Sequence, residues 1–278
     1  MFSRISNSWE LVKASAQVLR ADKELIVFPI VSAIGLLLVT VAFAVPVFVS
    51  GLIDELTENQ VLSAIVLFLF YVTQYTVIIF ANSALVAAAM IRLRGGDPTA
   101  GDGFRAAFAH LPAILGYALI SATVGMILRW LQERGVLGRI ASSLVGLAWN
   151  IATFLVVPIL VMEDVGPVEA VKRSAALLKK TWGEQIVGNL SIGLVFAVLI
   201  ILVILLGIGG VVLGVNLDSA PIVISAVVIA VVLVLGLSLI NSALGGIYSA
   251  AVYNFAVTGE PGTYFEQGLV QEAFRLKS

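Results

Sequence analysis

The sequence predicts an all-α integral membrane protein. Six transmembrane helices form three parallel two-helix repeats, each preceded by an amphipathic interfacial helix, within a single membrane domain over residues 1–278. Three observations carry this. First, 60% of the residues are hydrophobic and only 12% are charged, roughly half the charge of an ordinary soluble domain. Second, the apolar residues come in runs of about 20 or more, the length at which a helix spans a bilayer. Barrel strands would be roughly ten residues long and would alternate. Third, the runs recur with similar flanking text.

The first apolar segment runs from Leu25 to Leu52 and carries Pro29 and Pro46. The second runs from Val61 to Leu93, the third from Leu111 to Leu131, and the fourth from Ile140 to Met162 with Pro158. The fifth runs from Ile186 to Val215 and the sixth from Pro221 to Val257. Proline is tolerated in a span where neighbours re-satisfy the freed backbone groups. At 1.5 Å per residue the second segment extends about 50 Å, so it and the sixth are expected to tilt, kink or project. The basic start, the run from Leu25 to Ala44 and the text Ala42-Phe43-Ala44 imitate a signal peptide. The run exceeds a usual signal core and reads as an uncleaved first helix.

Orientation follows from Lys and Arg. Of the 16, only Arg129, Arg134 and Arg139 fall on one side, at the end of span three and before span four. The others precede span one (Arg4, Lys13, Arg20, Lys23), separate spans two and three (Arg92, Arg94, Arg105), separate four and five (Lys172, Arg173, Lys179, Lys180), or follow six (Arg275, Lys277). The positive-inside rule places both termini in the cytoplasm.

The repeat units cover about residues 7–98, 99–165 and 166–262. Each opens with a short helix suited to the headgroup layer. Trp9, Val12, Ala16 and Leu19 form one apolar stripe; Phe104, Ala107, Phe108 and Leu111 a second; Val168, Val171, Ala175, Leu178 and Trp182 a third. Odd spans open with Ser32-Ala33, Ser121-Ala122 and Ser191, each followed by a glycine. Even spans hold Asn82, Asn150 and Asn241, and a proline turn follows each. A partial fourth amphipathic segment runs from Phe265 to Leu276. Parallel repeats imply an axis along the membrane normal.

The chain has no cysteine and one histidine, His110. No Walker loop, His-Glu-x-x-His or serine elbow is present, so neither an enzyme, a cofactor nor a metal is expected. A net charge of −1 gives no field for nucleic acid. No Asp, Glu, Lys or Arg lies mid-span, as ion-driven carriers usually require. Asn82, Asn150 and Asn241 have two readings: a polar ring on the repeat axis, or interhelical glue. Gln74, Asn189 and Tyr253 share that choice. Arg129 and Glu133 read as a surface pair at i,i+4 spacing. Gly210 and Gly214 have small-xxx-small spacing, for packing within the bundle or between copies. Trp9, Trp130, Trp149 and Trp182 suit an aromatic belt. Lys172, Arg173, Lys179 and Lys180 form a patch for anionic lipid or a partner protein, unless they act only as an orientation signal.

The runs "MEDVGPVEAVKRSAALLKKTWGEQIVGNL" (Met162 to Leu190) and "SWELVKASAQVLRADKELIVFP" resemble a recurrent element of bacterial six-span membrane proteins of unknown function. They are similar to the membrane domain accompanying some glycerophosphodiester phosphodiesterases. The resemblance implies a six-helix inner-membrane protein and supplies no activity. The expectation is a non-enzymatic scaffold or accessory protein with cytoplasmic-face lipid or partner contacts. Its rival is a passive pore or small-solute transporter lined by the three asparagines.

Overall fold

The computed structural model describes residues 2–49, 52–182, 191–266, 268 and 270. Ile186 to Leu190, including Asn189, and the terminal Arg275 and Lys277 lie outside them, as does most of the segment that ends at Leu276. Among the described residues every regular element is helical. The order is α1 (Phe2–Ala21), a 3-10 turn (Lys23–Ile26), α2 (Val27–Val49), α3 (Leu52–Glu58), α4 (Gln60–Leu93), α5 (Ala100–Ala109) and α6 (Leu111–Gln132). Then come α7 (Gly135–Ala152), α8 (Val156–Met162), α9 (Pro167–Trp182), α10 (Ser191–Asn216) and α11 (Ala220–Thr258).

Six stretches are long and apolar enough to cross a membrane: Lys23–Val49, Gln60–Leu93, Leu111–Gln132, Gly135–Met162, Val195–Asn216 and Ala220–Thr258. They match the six segments read from the sequence and make this a multi-pass membrane protein. Among the described residues the fourth divides into α7 and α8, and the first opens with the 3-10 turn before α2.

Burial is concentrated at one end of the bundle, where α1, α5 and α9 sit. In α4 the buried residues run from Ile79 to Leu93, and in α11 from Ala243 to Phe255. Much of this text is small: Ala81, Ser83, Ala84, Ala87, Ala88 and Ala89 on α4, with Ala243, Gly246, Ala250 and Ala251 on α11. Lipid tails are as apolar as leucine, so hydrophobicity alone does not drive helices together inside a bilayer. Close approach of small residues and interhelical hydrogen bonds do. The opposite half of the α10–α11 hairpin lacks such companions. Leu206 is 76% exposed and Val232 is 61% exposed there, as lipid-facing side chains are.

The three helices at the packed end each dock on a hairpin. Helix α5 packs on α4, α9 on α6, α7, α8 and α11, and α1 on α10 and α11. Gly103 sets the fit of α5: a Cβ there would lie 2.5 Å from both Ala84 O and Phe28 Cζ. Phe28 is fully buried and meets Phe104 edge-on, ring centroids 5.1 Å apart. Helix α1 buries Leu11, Val12, Ala14, Ser15 and Val18. Helix α9 buries Ala170, Ser174, Leu177 and Leu178. These faces overlap the apolar stripes read from the sequence only in part. Trp9, Ala175 and Val168 are exposed.

Candidate functional site

The polar chemistry gathers at the packed end. Arg92, in the last turn of α4, donates from Nη2 to Ala21 O at 3.0 Å and from Nη1 to Gly96 O at 3.2 Å and Asp97 Oδ1 at 3.0 Å. Glu24 Oε2 accepts from Ala100 N at 2.7 Å. Together they tie the α1–α2 corner to the α4–α5 corner. Asp22 is buried in that corner. One of its oxygens accepts from Glu24 N at 3.2 Å; the other, like Arg92 Nε, has no hydrogen-bond partner among the described residues. Burial pushes the Asp22 carboxyl above its ordinary value, against the Glu24 N–H and Arg92, which pull it down. Asp102 behaves oppositely. Thr99 Oγ1 donates to Asp102 Oδ2 at 2.7 Å and Thr99 N donates to it at 3.0 Å, closing a capping box on α5. These bonds to Thr99 hold the Asp102 carboxyl below its ordinary value, with Arg105 nearby adding to the effect.

The break in the fourth span has a local cause. Pro158 has no N–H for the carbonyl of Phe154, and its ring clashes with the turn before it. The chain tightens there with i→i+3 bonds, Phe154 N to Ile151 O at 3.2 Å and Val156 N to Thr153 O at 3.0 Å. Two serines re-satisfy the disturbed backbone. Ser249 Oγ of α11 donates to Phe154 O at 3.2 Å, and Leu155 N donates to Ser174 Oγ of α9 at 3.1 Å. Neutral hydroxyls therefore do in the apolar interior what water does elsewhere.

Just beyond α8 lies a three-residue cluster. Glu163 Oε2 accepts from Arg173 Nε at 2.9 Å, and Glu163 Oε1 accepts from Tyr253 Oη at 3.1 Å. The cluster joins α8, α9 and α11. On α9 it separates two faces. The inner face holds Ala170, Ser174, Leu177 and Leu178 against the bundle, while Lys172, Lys179 and Lys180 are exposed on the outer face with Arg173 at its flank.

The asparagines are distributed unequally. Asn82 is half-buried, and its Oδ1 lies 2.9 Å from where a Cβ of Gly246 would be, so it abuts α11. Asn241 is half-buried on α11, five residues before Gly246, about 7.5 Å along the axis. Asn150 is exposed on α7, which packs on α6 and α9. The structure thus brings Asn82 to α11 and leaves Asn150 apart from that contact. Gly210 and Gly214 face α11: added Cβ atoms would lie 2.8 Å from Ala226 Cβ and 2.7 Å from Val223 Cγ2. Gln74 Nε2 donates to Thr40 Oγ1 at 3.0 Å. At the far end Arg129 donates to Tyr71 Oη at 2.9 Å and pairs with Glu133 at 3.6 Å, while Arg134 covers the Trp130 ring at 3.8 Å. His110 is the hinge between α5 and α6, with Nδ1 2.9 Å from Ala106 O.

Sequence reasoning missed Ser174, Ser249 and Glu163. The signal was available for Ser249, because Pro158 announces a carbonyl in need of a donor; Ser174 instead accepts from Leu155 N, a need that no single residue marks. Glu163 carried no signal, since its partners are remote in the chain.

A model described as "Family of unknown function (DUF6159)" matches residues 61–264. This is an uncharacterised family, as the resemblance implied, and nothing in the match ties it to glycerophosphodiester phosphodiesterases. No curated protein and no solved structure matches the chain.

Proposed function

The chain belongs to the DUF6159 family, and we propose that it is a non-enzymatic scaffold or accessory protein of the inner membrane. Both termini face the cytoplasm, and the packed end holds anionic lipid or a partner protein at that face. The observation that carries this is the division of α9. One face is locked into the bundle by Ser174 and by the Arg173–Glu163–Tyr253 cluster; the other exposes Lys172, Lys179 and Lys180. A helix built only to orient the chain needs the charges but not the anchorage.

The three-repeat reading gains support from position as well as text. Glu10, Asp102 and Glu169 precede Lys13, Arg105 and Lys172 by three residues, and Ser15, Ala107 and Ser174 two residues later are all fully buried. Helices α1, α5 and α9 are then three versions of one docking element. The pore reading would require Asn150 to join Asn82 and Asn241, and its exposed position on α7 favours the scaffold.

The test is extraction of the protein in native nanodiscs, followed by measurement of the anionic fraction of the retained lipid. Each Lys near an anionic surface contributes about 1 kcal/mol. Reversing Lys172, Lys179 and Lys180 to Glu should lower the anionic enrichment at least about fivefold, since 1 kcal/mol is about a fivefold change. Unchanged lipid and partner retention in that variant would overturn the proposal.

A further inference from the structure

The cationic face of α9 has a shape as well as a charge. On a helix, the neighbours of any residue are those three and four positions away, about 5–6 Å between Cβ atoms. For Ala176 these are Lys172, Arg173, Lys179 and Lys180, and all five residues are exposed. Four cations therefore surround one of the smallest side chains, leaving a shallow seat floored by a methyl group. Glu169, at the start of the helix, is seven residues from Ala176 but neighbours Lys172 and Arg173, so Lys179 and Lys180 are the seat's cations with no carboxylate beside them on α9. Arg173 gives its Nε to Glu163 at 2.9 Å, and no second acceptor holds its guanidinium among the described residues. A guanidinium fork suits a phosphate bidentately, whereas Lys supplies a mobile point charge.

The surroundings point to a lipid. Val168 is 56% exposed and Ala175 is exposed as well. At 100° per residue both fall beside the Lys172–Lys179 column. An apolar strip against a cationic column is the composition of the headgroup boundary. The paired columns, Lys172 with Lys179 and Arg173 with Lys180, flank Ala176 on two sides.

We propose that this seat binds a phospholipid whose headgroup carries two phosphates, one against each column, with Ala176 between them. The proposal rests on the lipid-contact reading above and adds a stoichiometry and a geometry to it. One lipid occupies one seat, and the seat is closed by bulk at residue 176 without any change of charge.

The experiment uses the full chain, delipidated in detergent and titrated by native mass spectrometry. The probes are cardiolipin, with two phosphates, and phosphatidylglycerol, with one; inorganic phosphate is the competitor. Wild type should bind a first cardiolipin at least tenfold more tightly than phosphatidylglycerol. Ala176→Leu, at an exposed position, should keep the helical circular dichroism and elution volume of wild type while removing most of that preference. Lys179→Glu/Lys180→Glu should weaken both lipids. If Ala176→Leu leaves the preference intact while the charge reversal weakens binding, the seat is refuted and the surface-charge reading stands. If neither variant changes lipid binding, both fail. Loss of the bound cardiolipin to millimolar inorganic phosphate would refute the lipid in favour of a soluble anion.

Discussion

Removing the Ser174 hydroxyl should destabilise the whole bundle, because it serves a backbone group that has no other recourse. Ser174 and Leu155 are both fully buried, and Leu155 N donates to Ser174 Oγ at 3.1 Å. In Ser174→Ala the N–H is stranded beside a helix break that Pro158 enforces. Leaving a buried donor unsatisfied costs about 1–3 kcal/mol. Interhelical hydrogen bonds in membrane proteins average about 0.6 and reach about 1.7 kcal/mol, because the unfolded chain in the membrane also finds partners. The lost bond runs to backbone at a fixed break, so the upper part of that range applies. A loss of about 1–2 kcal/mol lowers the folded-to-unfolded ratio roughly 5- to 30-fold. The measurement is reversible unfolding in mixed micelles of rising dodecyl sulfate, followed by tryptophan fluorescence. Ser143→Ala is the control. Its hydroxyl donates to Arg139 O at 2.8 Å on an exposed helix face, and such a loss should stay within about 0.5 kcal/mol. Equal stability of Ser174→Ala and wild type would refute the argument, as would equal losses in the two variants.

Two further outcomes follow from the packed end. Gly103→Val places a Cβ against Ala84 O, a backbone atom that cannot rotate away, and should cost about 1–3 kcal/mol as overpacking does. Gly101→Ala, whose Cβ would meet only Thr99 Oγ1 at 3.6 Å, should be near neutral in the same unfolding assay, and parity between the two would sink the close-approach account. Asp102 has a folded value depressed below its ordinary 3.8 by the Thr99 bonds. Its contribution is therefore complete above about pH 4 and is lost as pH falls through the depressed value. The protection of the α5 amide groups, taken as hydrogen exchange relative to the intrinsic rate at each pH, should fall below that pH in wild type, while Asp102→Asn should show no such acid step; an identical step in both would assign the titration to another group.

Much of the architecture was legible because a bilayer imposes a length and composition that a chain cannot disguise. The six segments, and Leu111 and Met162 as helix limits, needed no tertiary information. Pro158 marked a carbonyl without its helical donor, since the missing N–H is a property of one residue, but the sequence did not mark the break, and Pro46 sits inside an unbroken α2. What could not be read was the direction in which each apolar surface faces. The stripe of Val168, Val171, Ala175 and Leu178 on α9 is apolar, yet the face held against the bundle is Ala170, Ser174, Leu177 and Leu178. Hydropathy does not distinguish protein from lipid as a neighbour, because both are apolar. Only the tertiary packing chose, and it chose small residues and hydroxyls, which permit close approach and hydrogen bonding. The same reason hid the Glu163–Arg173–Tyr253 cluster. Its members come from the cap of α8, the middle of α9 and the last turns of α11, and nothing local to any of them records that they converge.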